Sequence, residues 1–97
     1  MVTPENKVKE QVKRILTAHN VYYFMPHGGP YGNIGVPDFI CCHKGKFLAI
    51  ETKAKGNKPT ARQLEHIKQI NNHNGLALVI NESNLQELVN ALEQDQQ

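Results

Sequence analysis

Apolar positions recur along this 97-residue chain in two rhythms, helical spacing and short continuous runs, with polar punctuation between them. Val8, Val12, Ile15 and Leu16 fall on one helical face, behind Thr3 as N-cap, Pro4 at the first helical position and Glu5 at the positive end of the helix dipole. This helix is expected to end near His19-Asn20. Residues 21–25 are β-branched and aromatic and predict a first strand. Residues 26–35, with four glycines and two prolines, predict a loop. Two apolar runs then flank Lys44-Gly45, a hairpin signal spanning residues 36–53. Thr60 to Gln63 reads as a capping box opening a second helix, with Leu64, Ile67 and Ile70 as its buried stripe and Gly75 as its stop. Residues 76–80 form an unbroken apolar run, expected to be a central strand covered on both faces. Ser83 to Gln86 reads as a second capping box, and Leu85, Leu88, Val89 and Leu92 follow at helix spacing.

The predicted order is helix, three strands, helix, strand, helix: an α/β chain of mixed α+β character. A mixed four-stranded sheet flanked by helices is the expected solution, with the last strand parallel to a strand of the hairpin because a helical crossover precedes it. The length suits one domain over residues 1–97.

The hairpin carries the chemistry. With a two-residue turn at Lys44-Gly45, paired positions sum to 89, so Asp38 faces Glu51. Like charges so placed repel unless something neutralises them, and a divalent cation would. Lys53 projects from the same strand face as Glu51, two residues on, while Thr52 between them is expected to point away. Carboxylate oxygens suit Mg²⁺ or Mn²⁺, and such a site with a lysine beside it suits hydrolysis of a phosphodiester. The plainer reading has Asp38 capping a turn and Glu51 pairing with Lys53 on a solvated strand.

Charge distribution changes the picture more than the net charge of +2 does. Lys44, Lys46, Lys53, Lys55, Lys58 and Arg62 stand against Glu51 alone between residues 44 and 62, a basic stretch fitting a polyanion. His27, Tyr31 and Asn33 in the glycine-rich loop are candidate phosphate or base contacts; a bare connector is the other reading. That loop lacks the Gly-Lys-Ser/Thr ending of a P-loop, so no nucleotide cofactor is expected. Cys41 and Cys42 are neighbours on a strand, so they are expected to be reduced and structural, in a cytoplasmic setting. No apolar run reaches membrane-spanning length and no signal-peptide pattern opens the chain.

Pro37-Asp38, followed by Glu51-Thr52-Lys53, resembles the PD-(D/E)xK nuclease signature. The finer resemblance is to its VRR-NUC branch, the virus-type replication-repair nuclease domain: Gly35-Val36-Pro37-Asp38, then residues 45–54, then Pro59-Thr60-Ala61-Arg62-Gln63. Thr52 departs from the aliphatic residue usual in that branch. The resemblance implies a restriction-endonuclease-like core and Mg²⁺ or Mn²⁺ held by Asp38, Glu51, the Thr52 carbonyl and Glu5, the first-helix glutamate. It also implies a catalytic Lys53, and a Gln63 near the active site that orients water or phosphate. On the residues alone, Glu5 is equally a dipole-favourable first-turn residue and Gln63 a complete capping partner. Lys55, Lys58 and Arg62 are expected to track DNA. The branch implies a phage or viral homodimer, in the host-cell cytoplasm, acting on branched DNA such as four-way junctions. A non-catalytic DNA-binding module, an RNase and a small phosphoesterase are the rival functions.

Overall fold

The computed structural model describes residues 2–27 and 34–94. Its elements are α1 (Pro4–Ala18), β1 (Tyr22–Phe24), β2 (Phe39–His43), β3 (Lys46–Thr52), α2 (Ala61–Asn72), β4 (Leu76–Ile80) and α3 (Leu85–Glu93). The order is the one that the patterning predicts. The sheet runs β1-β2-β3-β4, with β1, β2 and β3 antiparallel and β4 parallel to β3.

The hairpin turn sets the register. Lys44 (φ 54°) and Gly45 (φ 78°) both take the left-handed conformation that suits a two-residue turn to the twist of its strands. His43 therefore faces Lys46, and the pairing runs back to Phe39 opposite Ile50. One further step brings Asp38 to the level of Glu51, as expected.

The central strand is β3, not β4. Leu48 to Thr52 are all buried, whereas β4 lies at the sheet edge. The apolar run of β4 reflects cover on its faces by α2 and α3, which does not require a strand on both sides. On one face Val8, Val12 and Leu16 of α1 and Leu88 and Leu92 of α3 pack with Phe39, Cys41, Leu48, Ile50 and Ile80. Two histidines tie down the end of α3: His43 Nε2 lies 3.1 Å from the Leu92 carbonyl, and His19 Nε2 lies 3.0 Å from Glu93 Oε2. The bond to Glu93, and a second from His19 to the Ile15 carbonyl, favour the imidazolium and raise the His19 pKa.

Among the described residues the other face is covered by α2, whose expected buried stripe is not buried. Leu64 is 52% exposed and Ile67 and Ile70 are half-buried, because nothing covers the outer side of this helix among the described residues. Its capping box forms as predicted, but the second one does not. Asn84 takes the cap position of α3, and its amide instead accepts from Asn81 N at 2.7 Å and donates to the Val79 carbonyl at 2.9 Å. At the end of α2, Asn74 takes the left-handed turn (φ 69°) and Gly75 N reaches the Ile70 carbonyl at 3.0 Å. No helix of the described residues is long and apolar enough to cross a membrane.

Gly35 joins this scaffold to the segment before Asp38. It has φ 81°, and a Cβ there would lie 2.7 Å from Arg62 Cβ and 2.9 Å from the Arg62 carbonyl carbon. His66 Nε2 adds a contact of 3.2 Å to the Ile34 carbonyl. The start of α2 is thus held against the segment that delivers Asp38. Gly45 has a similar φ of 78° but open space around it. Gly45→Ala should therefore cost about 1 kcal/mol, and Gly35→Ala roughly 2–4 kcal/mol, since a steric displacement adds to the strain. Urea unfolding of both variants checks this; equal costs would show that the close approach at Gly35 contributes nothing.

Candidate active site

The site lies where β3 runs out. Glu51 and Thr52 are its last two residues, Lys53 follows and pairs through its N–H with the Ile80 carbonyl at 3.0 Å, and Asp38 precedes β2. Glu51 is 2% exposed. Its Oε2 lies 3.8 Å from Lys53 Nζ, while its Oε1 is buried and has no hydrogen-bond partner. A buried carboxylate oxygen without a donor is costly, so this atom calls for a cation or a proton.

Asp38 is held from one side. Its Oδ2 accepts from Thr52 N at 2.9 Å and from Thr52 Oγ1 at 2.6 Å. This corrects the expectation that the Thr52 side chain points away from the site. Asp38 lies beyond the last ladder pair, where strand alternation no longer governs direction, and its carboxylate swings to the Thr52 hydroxyl. The departure from an aliphatic residue thus has a structural consequence: Thr52 orients Asp38 through Oδ2 and leaves Oδ1 without a hydrogen bond.

Two further groups come from α1. Glu5 and Lys9 are one turn apart, with Lys9 Nζ 3.8 Å from Glu5 Oε2 and 3.9 Å from Asp38 Oδ1. Lys9 has no counterpart among the expected site residues; its i,i+4 spacing signals the pair with Glu5 but not the approach to Asp38. Burial pushes the Glu51 carboxyl up to about 8; the Asp38 charge adds to the rise, Lys53 opposes it, Glu5 adds further and Lys9 opposes.

The remaining expected residues are placed less closely. Gln63 Oε1 accepts from Thr60 N at 2.8 Å, so the capping role is filled and its amide NH₂ remains as a donor. Arg62 sits exposed in the first turn of α2, against Gly35. Lys55 and Lys58 are exposed in the loop that leaves directly from Lys53, and Glu82 anchors this loop, both its oxygens 2.9 Å from Lys55 N. Lys44 and Lys46 stand at the opposite end of the seven-residue β3, roughly 20 Å away, so the basic stretch is not one patch in space. His27 is exposed at the end of its described segment, and Tyr31 and Asn33 lie outside the described residues. Cys41 is buried, its thiol pushed up to about 12 by burial, and Cys42 is exposed; both are free.

Can these groups hold a metal? Among the described residues no set of three or more His, Cys, Asp or Glu side chains is close enough to share one ion. The Asp38–Glu51 pair is enough for magnesium, which takes one or two carboxylates and fills the rest of its shell with water and phosphate oxygens. Asp38 Oδ1 and Glu51 Oε1 are the free oxygens of that pair, and both are hard donors.

The buried Glu51 has a thermodynamic signature. Its folded pKa lies above the ordinary value of 4.5, so between pH 4.5 and about 8 the folded state holds a proton that the unfolded state has lost. Stability of the metal-free protein must then fall as pH rises through that window. Melting in EDTA should show a loss on the order of 3 kcal/mol between pH 5 and pH 8, or roughly 15 °C. Glu51→Gln should remove most of that slope. A wild-type melting temperature independent of pH would rule out a desolvated Glu51.

The chain superposes on a VRR_NUC domain protein with a TM-score of 0.69 at 17% sequence identity, over 95% of this chain and 89% of that one. No family model matches the sequence, and no curated protein matches it. With the element order and the sheet topology, the likeness establishes that this chain has the fold of a VRR_NUC domain.

Proposed function

We propose that this protein is a metal-dependent endonuclease that hydrolyses phosphodiester bonds in DNA. The observation that carries the reading is the desolvated Glu51, one oxygen unpartnered, set beside Asp38 and Lys53 at the end of the central strand of a VRR_NUC-type fold. A binding module has no need to bury a carboxylate that lacks a donor, since that arrangement only costs stability.

Asp38 Oδ1 and Glu51 Oε1 would hold Mg²⁺ or Mn²⁺, with the Thr52 carbonyl as a further ligand and Glu5, which is not close enough to share the ion directly, acting through its water shell. When bound, such an ion polarises a phosphoryl oxygen and makes coordinated water more acidic. Thr52 fixes Asp38 so that one oxygen is always presented. Lys53, mostly buried and 3.8 Å from Glu51, orients the attacking water and stabilises charge developing on the phosphate. The Gln63 NH₂ donates to water or to a phosphate oxygen. Lys55, Lys58 and Arg62 draw the DNA backbone towards the site, and His27, Tyr31 and Asn33 are its further candidate contacts.

Phosphate contacts position DNA without reading its sequence directly, so an enzyme that relies on them selects by DNA shape. Branched DNA, including four-way junctions formed in viral or phage replication and repair, is the substrate class that fits. The protein acts as a homodimer, which presents two sites to one branch point. Exposed large apolar side chains, Tyr22, Phe24, Ile34 and Leu64 among them, support pairing.

Labelled linear duplex, splayed-arm and four-way-junction DNA, incubated with Mg²⁺, Mn²⁺ or EDTA, test this directly. Metal-dependent cutting is expected, fastest on the junction, with Asp38→Ala and Lys53→Ala each slower on the order of 10³-fold. Light scattering at assay concentration should give the mass of two chains. Junction binding without cutting in either metal would instead support a recruitment module, and cutting that survives Asp38→Ala would displace the site.

A further inference from the structure

Lys9 stands out because neither the fold nor the proposed chemistry requires it. It lies beside the core-facing Val8 on α1, and its side chain is 25% exposed. Its ammonium sits between two carboxylates, 3.8 Å from Glu5 Oε2 and 3.9 Å from Asp38 Oδ1. Both distances exceed the roughly 2.7–2.9 Å of a charge-assisted hydrogen bond, so the ammonium is attracted to these oxygens without being locked to either. The Asp38 oxygen it approaches is the one that Thr52 leaves free. The cation therefore stands at the open flank of the carboxylate pair, on a flexible stem that can swing away.

The charges agree with that placement. With their carboxyls deprotonated for metal binding, Glu5, Asp38 and Glu51 count three negative charges against Lys9 and Lys53 and leave one in excess. A divalent ion turns this into one positive charge, which a single phosphodiester cancels. Without Lys9 the loaded site would be neutral and would lose its attraction for the substrate.

We infer that Lys9 is the resident counter-cation of the site: it neutralises the carboxylates of the metal-free protein, competes with the incoming divalent ion, and moves aside when that ion binds. The inference rests on the metal-dependent reading above. It assigns Lys9 the task of setting the metal threshold, and it separates Lys9 from Lys53, which lies on the buried side against Glu51 and stays in place on loading.

Calorimetric titration of Mn²⁺ into the DNA-free protein at pH 8 tests it, with wild type, Lys9→Gln, Lys9→Met and Lys9→Arg. Removing one positive charge a few ångströms from the ion should tighten Mn²⁺ binding about tenfold in Lys9→Gln and Lys9→Met, while Lys9→Arg keeps the wild-type affinity. Melting in EDTA establishes that each variant is folded; Lys9→Gln should lose only about 2–5 °C, since the pair is partly exposed. Unchanged or weaker Mn²⁺ binding in Lys9→Gln and Lys9→Met would overturn the inference and leave the metal site standing. Absence of Mn²⁺ binding in the wild type would overturn both.

Discussion

The removal of the Glu51 carboxyl from water, beside a second carboxylate at Asp38, is the constraint on which this site depends. Glu51 is buried because β3 is the central strand, covered on both faces, and its side chain has nowhere else to go. Asp38 is brought to the same level by the two-residue turn at Lys44-Gly45, five residue pairs away along the hairpin. Burial first, and the Asp38 charge after it, make ionisation of Glu51 costly in the metal-free protein. Lys53 and Lys9 offset part of that cost, and the unpartnered Glu51 oxygen marks what they leave uncompensated.

The scaffold around the pair is arranged to keep it in place. Gly35 lets the chain run against the first turn of α2, so the approach to Asp38 is braced by a helix and not left as a free loop. Thr52 uses both its amide and its hydroxyl on one Asp38 oxygen, which fixes the direction of the other. Glu82 clamps the loop that follows Lys53, so the basic side chains beyond it start from a fixed point. On the far side, His19 and His43 secure the end of α3 and with it the core beneath β3.

Much of this is legible in the sequence, and what is not has identifiable causes. The convergence of Asp38, Glu51 and Lys53 can be read because it depends on local rules: turn length, antiparallel register and strand alternation. The contact between Thr52 and Asp38 cannot, because alternation stops governing direction once the ladder ends. Lys9 reaches Asp38 only through the way α1 docks on the sheet, which no local spacing reveals. The apolar stripe of α2 shows which face meets the sheet but not whether anything covers its outer side, so Leu64 is exposed where burial is expected. An unbroken apolar strand likewise reports cover above and below, and β4 has that cover while lying at the edge.

The central claim is that Glu51 Oε1 and Asp38 Oδ1 are the two protein ends of one metal site. Crystals of the wild-type protein grown with Mn²⁺, measured for anomalous scattering, test it most directly. One peak about 2.0–2.3 Å from both oxygens is the result that the account predicts. An ordered Glu51 with no manganese beside it at saturating concentration, or manganese bound elsewhere on the chain, would contradict it.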